Sequence, residues 1–197
     1  AGYGHTCAVT VGGAAYCWGH NWKGQLGNGT TTKTKVPVGV RGLGAGVVSI
    51  SAGRLHSCAV MKSGAAFCWG VNQRGELGNG TTSGATAPVR VTGLGSRVAS
   101  ISAADRGTCA TTLAGGAYCW GSNGNGTLGN GTSNHSTVPV PVVGLGSGVA
   151  SVSAGTAHNC ATTTAGAAWC WGYGYYGQLG NGTRTNASVP VPVRRPV

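Results

Sequence analysis

Apolar and polar positions in this chain alternate in short runs, and the runs return every 51 residues. The first run is His5-Thr6-Cys7-Ala8-Val9-Thr10. A Gly12-Gly13 turn signal follows, then Ala14-Ala15-Tyr16-Cys17-Trp18, which ends at Gly19. Two alternating runs about a glycine pair predict a β-hairpin. The Gly-rich stretch at residues 21–30 reads as an ordered loop, because its glycines suit positive φ and close backbone approach. Val36-Pro37-Val38-Gly39-Val40 reads as a third strand, set at an outer or edge position by its proline. Gly42-Leu43-Gly44 turns the chain. Val47-Val48-Ser49-Ile50-Ser51 is the last strand of the unit, and its small residues suit a crowded place near a central axis. No segment has a helical period with caps. The expectation is an all-β chain with four short antiparallel strands per unit, as in a propeller blade.

The repetition is strict. Cys7, Cys58, Cys109 and Cys160 share one offset, Trp18, Trp69, Trp120 and Trp171 another, and Leu-Gly-Asn-Gly-Thr starts at Leu26, Leu77, Leu128 and Leu179. A period near 50 means units that bury their apolar faces only against neighbours. The units expected are residues 1–51, 52–102, 103–153 and 154–197, together one repeat domain. The fourth lacks its last strand, so fifteen strands are encoded where sixteen would finish four blades. An unpaired edge is an association site. A longer propeller, a ring of copies or a head-to-tail filament would each resolve it.

In a hairpin centred near Gly12, Cys7 faces Cys17 and Ala8 faces Tyr16. Opposed Cβ atoms lie about 4.5–5.5 Å apart, close to what a disulfide requires. The rungs expected are Cys7–Cys17, Cys58–Cys68, Cys109–Cys119 and Cys160–Cys170, each stabilising by roughly 2–3 kcal/mol. Even, regular cysteine usage points to a secreted or cell-surface chain; four pairs of reduced buried thiols are the competing reading. Zinc could use His5, Cys7 and Cys17, but Gly107 replaces the histidine in the third unit and no fourth ligand recurs. No metal or cofactor is expected.

Net charge is +11, and Glu76 and Asp105 are the only acids. Such a field favours polyanions without selecting among them, and a merely basic soluble surface is the plain alternative. No apolar stretch reaches the ~18 residues of a membrane helix. The chain starts at Ala1 without a basic-then-apolar leader, as a processed chain or a fragment would. Catalysis has little to use. Glu76 and Asp105 sit at different repeat offsets with no evident carboxylate partner. Asp105 lies in the unit lacking the histidine that a Ser-His-Asp set needs. The Gly-Asn-Gly-Thr loops lack the Lys-Ser/Thr of a phosphate loop.

What varies between units is the better guide to function. Trp22-Lys23, Gln73-Arg74, Gly124-Asn125 and Tyr175-Tyr176 occupy one loop offset. Tyr3-Gly4, Arg54-Leu55, Asp105-Arg106 and Thr156-Ala157 precede the histidine position. Exposed aromatics at Trp22, Tyr173, Tyr175 and Tyr176, with Lys23, Arg54 and Arg74, would suit a protein interface or a sugar platform; packing within the loop is the bland reading. Asn-x-Ser/Thr occurs at Asn28, Asn79, Asn130 and Asn181 inside the repeat, where turn roles explain it, and at Asn125, Asn134 and Asn186. A secreted chain could be glycosylated at any of these.

The pattern Gly-x-x-His-Thr/Ser-Cys-Ala, Gly-x-x-Tyr/Phe-Cys-Trp-Gly, Asn-x-x-Gly-Gln-Leu-Gly-Asn-Gly-Thr and Pro-Val resembles the regulator of chromosome condensation repeat, and it runs through the whole chain four times. The paired cysteines resemble a secreted, bacterial-type variant. The resemblance implies four-stranded blades, normally seven to a ring, so the ring is incomplete within this chain. Family members that exchange guanine nucleotide or bind chromatin imply a nuclear site and an inserted segment, neither of which matches this chain. A light-sensing member would need tryptophans just before the histidine position, and none is present. The resulting expectation is a non-catalytic extracellular assembly protein that self-associates through blade edges. The alternative is a secreted binding module for an acidic glycan or protein, and a guanine-nucleotide exchange or chromatin-binding propeller is the distant third; a nucleic-acid partner fits poorly.

Overall fold

The computed structural model describes residues 1–95 and 97–194. It contains fifteen strands: β1 His5–Val9, β2 Ala15–Gly19, β3 Thr34–Gly39, β4 Val47–Ala52, β5 His56–Met61, β6 Ala66–Gly70, β7 Ala85–Arg90, β8 Val98–Ala103, β9 Gly107–Thr112, β10 Ala117–Gly121, β11 Ser136–Pro141, β12 Val149–Ala154, β13 His158–Thr163, β14 Ala168–Gly172 and β15 Ala187–Pro192. Among the described residues no helix is long and apolar enough to cross a membrane. The hairpin register is the one alternation requires: Cys7 opposes Cys17 and Ala8 opposes Tyr16. The same pairing recurs at Cys58–Cys68, Cys109–Cys119 and Cys160–Cys170. All four pairs are disulfides, with Cα atoms 4.0–4.1 Å apart.

The sheets are β1-β2-β3, β4-β5-β6-β7, β8-β9-β10-β11 and β12-β13-β14-β15. They form four consecutive propeller blades that do not close a ring. The Val-Ser-Ile-Ser strand therefore opens the next blade rather than finishing its own sequence unit. Its phase is fixed by a tight turn at Gly53, where the Gly53 N–H donates to the His56 carbonyl and folds β4 onto β5. The three-stranded sheet is accordingly the first, not the fourth. β3 also starts two residues before the valine-proline run, at Thr34; Val40, one residue past its end, keeps a backbone bond to the Ala15 carbonyl while its side chain enters the core. The proline-bearing strands β3, β7, β11 and β15 are all sheet edges, where a missing N–H is tolerated.

The core lies between blades, not within them. Ala15, Cys17, Leu26, Val40, Leu43 and Val47 form one cluster with Ala59 and Trp69 of the following hairpin. The next two clusters are sealed in the same way by Trp120 and Trp171. Inner strands are tied as well: Ser51 Oγ accepts the Ala103 N–H at 2.9 Å, and Ser102 Oγ accepts that of Ala154 at 3.0 Å.

Candidate functional site

The seam between blades is built around one backbone carbonyl. Gln25 sits in the loop after the first hairpin, and its C=O accepts from the Ser57 hydroxyl and the Trp69 indole N–H, both at 2.9 Å. The Glu76 C=O accepts equally from Thr108 and Trp120. The Thr127 C=O accepts from Asn159 at 2.6 Å and Trp171 at 2.9 Å. Each indole also lies over a glycine at positive φ (Gly27, Gly78 and Gly129), where any Cβ would press into the ring. These tryptophans are wholly buried.

A histidine completes two of the seams. His5 Nε2 lies 2.7 Å from Ser57 Oγ, and His56 Nε2 lies 2.9 Å from Thr108 Oγ1. Each hydroxyl spends its hydrogen on a carbonyl, so the imidazole must donate and carry its proton on Nε2. Nδ1 of both rings is buried without a partner among the described residues. Burial holds His5 down at about 4, aided by the amino group at Ala1 and by His20. Burial, then His5, does the same to His56, also at about 4. The third seam has no histidine: Gly107 takes its place, and Asn159 turns its free oxygen to the Gly155 N–H at 3.2 Å.

At the two outer blades the same groups stand without their counterparts. Among the described residues, the Thr6 hydroxyl and Trp18 indole on the first blade meet no carbonyl, and Trp18 is only half-buried. On the fourth blade the Gln178 carbonyl and the His158 imidazole lack, among the described residues, the donors and hydroxyl that their equivalents bind.

The loops hold their shape through a buried asparagine that sequence patterning passes over. Asn21 Nδ2 donates to the Thr30 and Thr32 carbonyls, and Asn21 Oδ1 accepts the Leu26 N–H; Asn72 and Asn123 repeat this. The recurrent Asn-x-x-Gly at this offset was its visible sign. Asn28, Asn79, Asn130 and Asn181 use Oδ1 to hold the N–H and hydroxyl of the threonine two residues on. Asn125 and Asn134 are exposed, and Asn186 is exposed but accepts the Gly174 N–H.

The variable side chains form three groups rather than one surface. Tyr173, Tyr175 and Tyr176 pack on one another in the fourth blade, with ring centroids 5.2–6.3 Å apart. Trp22 is exposed and sits edge-on to His20 at 3.9 Å. Lys23, Arg54 and Arg74 instead line a cavity of about 260 Å³ with Arg106, Glu76 and Asp105. Arg54 pairs with Asp105 at 3.3 Å and lies over the Tyr3 ring at 5.5 Å. Glu76 is buried, and its carboxylate accepts the Arg74 N–H at 2.8 Å. Gln25 and Gln178 do the same for Lys23 and Tyr176. Both acids of the chain thus meet at one cavity, although they sit at different offsets in the repeat.

The chain is 36% identical over 194 residues to the ultraviolet-B receptor UVR8 of Arabidopsis thaliana, covering 96% of this chain and 44% of that one. It is 34% identical to the probable E3 ubiquitin-protein ligase HERC4 of Homo sapiens, covering 98% of this chain and 19% of the relative. The chain therefore spans less than half the length of these relatives. The structure of human WBSCR16 superposes with a TM-score of 0.87 at 25% identity, over 100% of this chain and 52% of that one. Yeast RCC1 (Prp20), in a structure bound to Kap60, gives 0.86 at 24% identity over 98% and 47%. The sequence model of the regulator of chromosome condensation (RCC1) repeat matches residues 12–60, 63–111, 114–162 and 165–197, and by that match the chain belongs to the RCC1 repeat family.

Proposed function

We propose that this chain is a secreted, non-catalytic scaffold that extends by docking its fourth blade against the first blade of a second copy. The observation that carries this is the seam chemistry. Three internal seams use one carbonyl, two donors and a packed indole. The outermost blades carry the two complementary halves of a fourth such seam. His158 and Thr6 are moreover the His–Ser/Thr combination of the first two seams, not the Gly–Asn substitute of the third. Successive copies joined this way build a filament, or a ring if the rotation closes. Four disulfides suit an oxidising extracellular compartment. Asn125 and Asn134 are the accessible acceptors should the secreted chain be glycosylated. RCC1 (Prp20) in complex with Kap60 is a relative that engages another protein; here the partner is the chain itself.

The experiment is native mass measurement of the non-reduced protein alongside electron microscopy. Regular fibres or rings are expected, in a chain eight hydrogens lighter than its reduced form. Substituting Thr6→Val with Trp18→Phe should dissolve them, while Tyr16→Ser, elsewhere on the same blade, should not. A strictly monomeric, monodisperse wild type sinks the proposal.

A further inference from the structure

Six of the chain's fifteen acidic and basic side chains line one cavity: Lys23, Arg54, Arg74, Arg106, Glu76 and Asp105. The repeat explains how they meet. Lys23 and Arg74 hold the same loop offset in successive units. Arg54 and Arg106 come from the turns before β5 and β9. The neighbouring furrow one blade on shares Asp105 and Arg106 with it but presents Gly124, Asn125 and Thr127 at the offsets of Gln73, Arg74 and Glu76. The scaffold therefore does not require the charge; it belongs to these side chains alone.

The balance within the cavity is uneven. Asp105 is spent on Arg54 at 3.3 Å. The Glu76 carboxylate is buried and supports the loop through the Arg74 N–H, as uncharged glutamines do in the first and fourth units. Lys23, Arg74 and Arg106 are exposed and have no carboxylate partner among the described residues. Three cations converging on about 260 Å³ form a receptor for one anionic group of monosaccharide size, since drug-sized ligands need roughly 300–1,000 Å³. Next in the chain to Lys23 stands Trp22, 67% exposed and held edge-on by His20. Trp22 does not line the cavity itself, but an exposed indole one residue from a lining cation suits the apolar face of a sugar ring next to an acidic one.

We propose that this cavity binds the carboxylate of an acidic polysaccharide, with Lys23, Arg74 and Arg106 gripping the anion and Trp22 supporting the adjoining sugar. This site is independent of blade-to-blade docking and would survive the failure of that reading.

The test is calorimetric titration of the intact disulfide-bonded protein with polygalacturonate, using dextran and polyglutamate as comparison polymers. Polygalacturonate should bind, more weakly as salt rises, and dextran should not. The triple variant Lys23→Gln, Arg74→Gln, Arg106→Gln should lose tenfold or more in affinity with its thermal unfolding unchanged. Trp22→Ala should lose several-fold, and polygalacturonate should shift the Trp22 fluorescence. A control triple, Lys33→Gln, Lys35→Gln, Lys62→Gln, should bind as wild type. An equal loss in the control would reduce the effect to overall charge and overturn the site. Polyglutamate binding as tightly through the same three residues would overturn the sugar assignment in favour of an acidic protein.

Discussion

Acidification should loosen this protein through two histidines rather than through carboxylates. His5 and His56 are 3% and 1% exposed, and each is held at about 4 against an ordinary 6.5. Each donates from Nε2 into a hydroxyl that is itself committed to a carbonyl. A second proton would go on Nδ1, which has no acceptor in reach among the described residues. Because the folded values are depressed, the unfolded chain binds more protons between pH 6.5 and pH 4. Stability is therefore greatest above 6.5, falls as pH drops through this window, and loses nothing more from these groups below 4. Integrating the linkage to pH 4 gives about 3 kcal/mol per histidine, or about 6 kcal/mol for both. That is a large part of a typical 5–15 kcal/mol domain stability. With only two carboxylate side chains in 197 residues, the usual acid-denaturation route contributes little. The assay is urea unfolding followed by tryptophan fluorescence at several pH values across the window. The double variant His5→Gln, His56→Gln keeps an N–H donor to each hydroxyl and should flatten the dependence. Parallel pH curves for wild type and double variant would refute the reasoning.

Two further outcomes test the packing of the seams. Gly78→Ala places a Cβ 2.7 Å from the Trp120 indole at φ +66, and should cost about 2–4 kcal/mol from strain and overpacking together. Gly144→Ala, at φ +73 with nothing within 4 Å, should cost only about 1–2 kcal/mol by the same chemical denaturation measurement. Reducing the four bridges, each closing a separation of ten residues, should lower stability by about 2–3 kcal/mol apiece. A thermal midpoint unmoved by full reduction would show that the blades already restrict the unfolded chain.

Strand pattern and disulfide pairing were legible because both are local. One turn position fixes every opposed pair in a hairpin, so Cys7 and Cys17 could be matched by counting. The phase of the blades was not read, though the connections hint at it: residues 53–55 separate β4 from β5, whereas residues 40–46 separate it from β3. The seam escaped notice for a different reason. Its acceptors are backbone carbonyls of Gln25, Glu76 and Thr127, which leave no side-chain signature, and only the Ser, Thr or Asn after the histidine position hints at a partner. The charged cavity draws its residues from two offsets in neighbouring units. Glu76 and Asp105 therefore looked unrelated until adjacent blades were set side by side. The candidate interaction residues differ between units, but which of them share a surface depends on blade order: the tyrosines gather on one blade and the cations between others.

The seam carbonyl has a consequence for symmetry. In the carbonyl bonds of each described seam the earlier blade gives the acceptor and the later blade the indole and hydroxyl or amide donors, and at the first two the earlier blade adds a histidine that donates to the later blade's hydroxyl. The two faces are complementary rather than alike, and a face set against its own copy brings no indole to a carbonyl, so these bonds do not support an isologous two-fold dimer. Blades stacked through them carry a direction, as an arrow does. Any mirror-like pairing of copies has to use loops or edges that the seams leave alone.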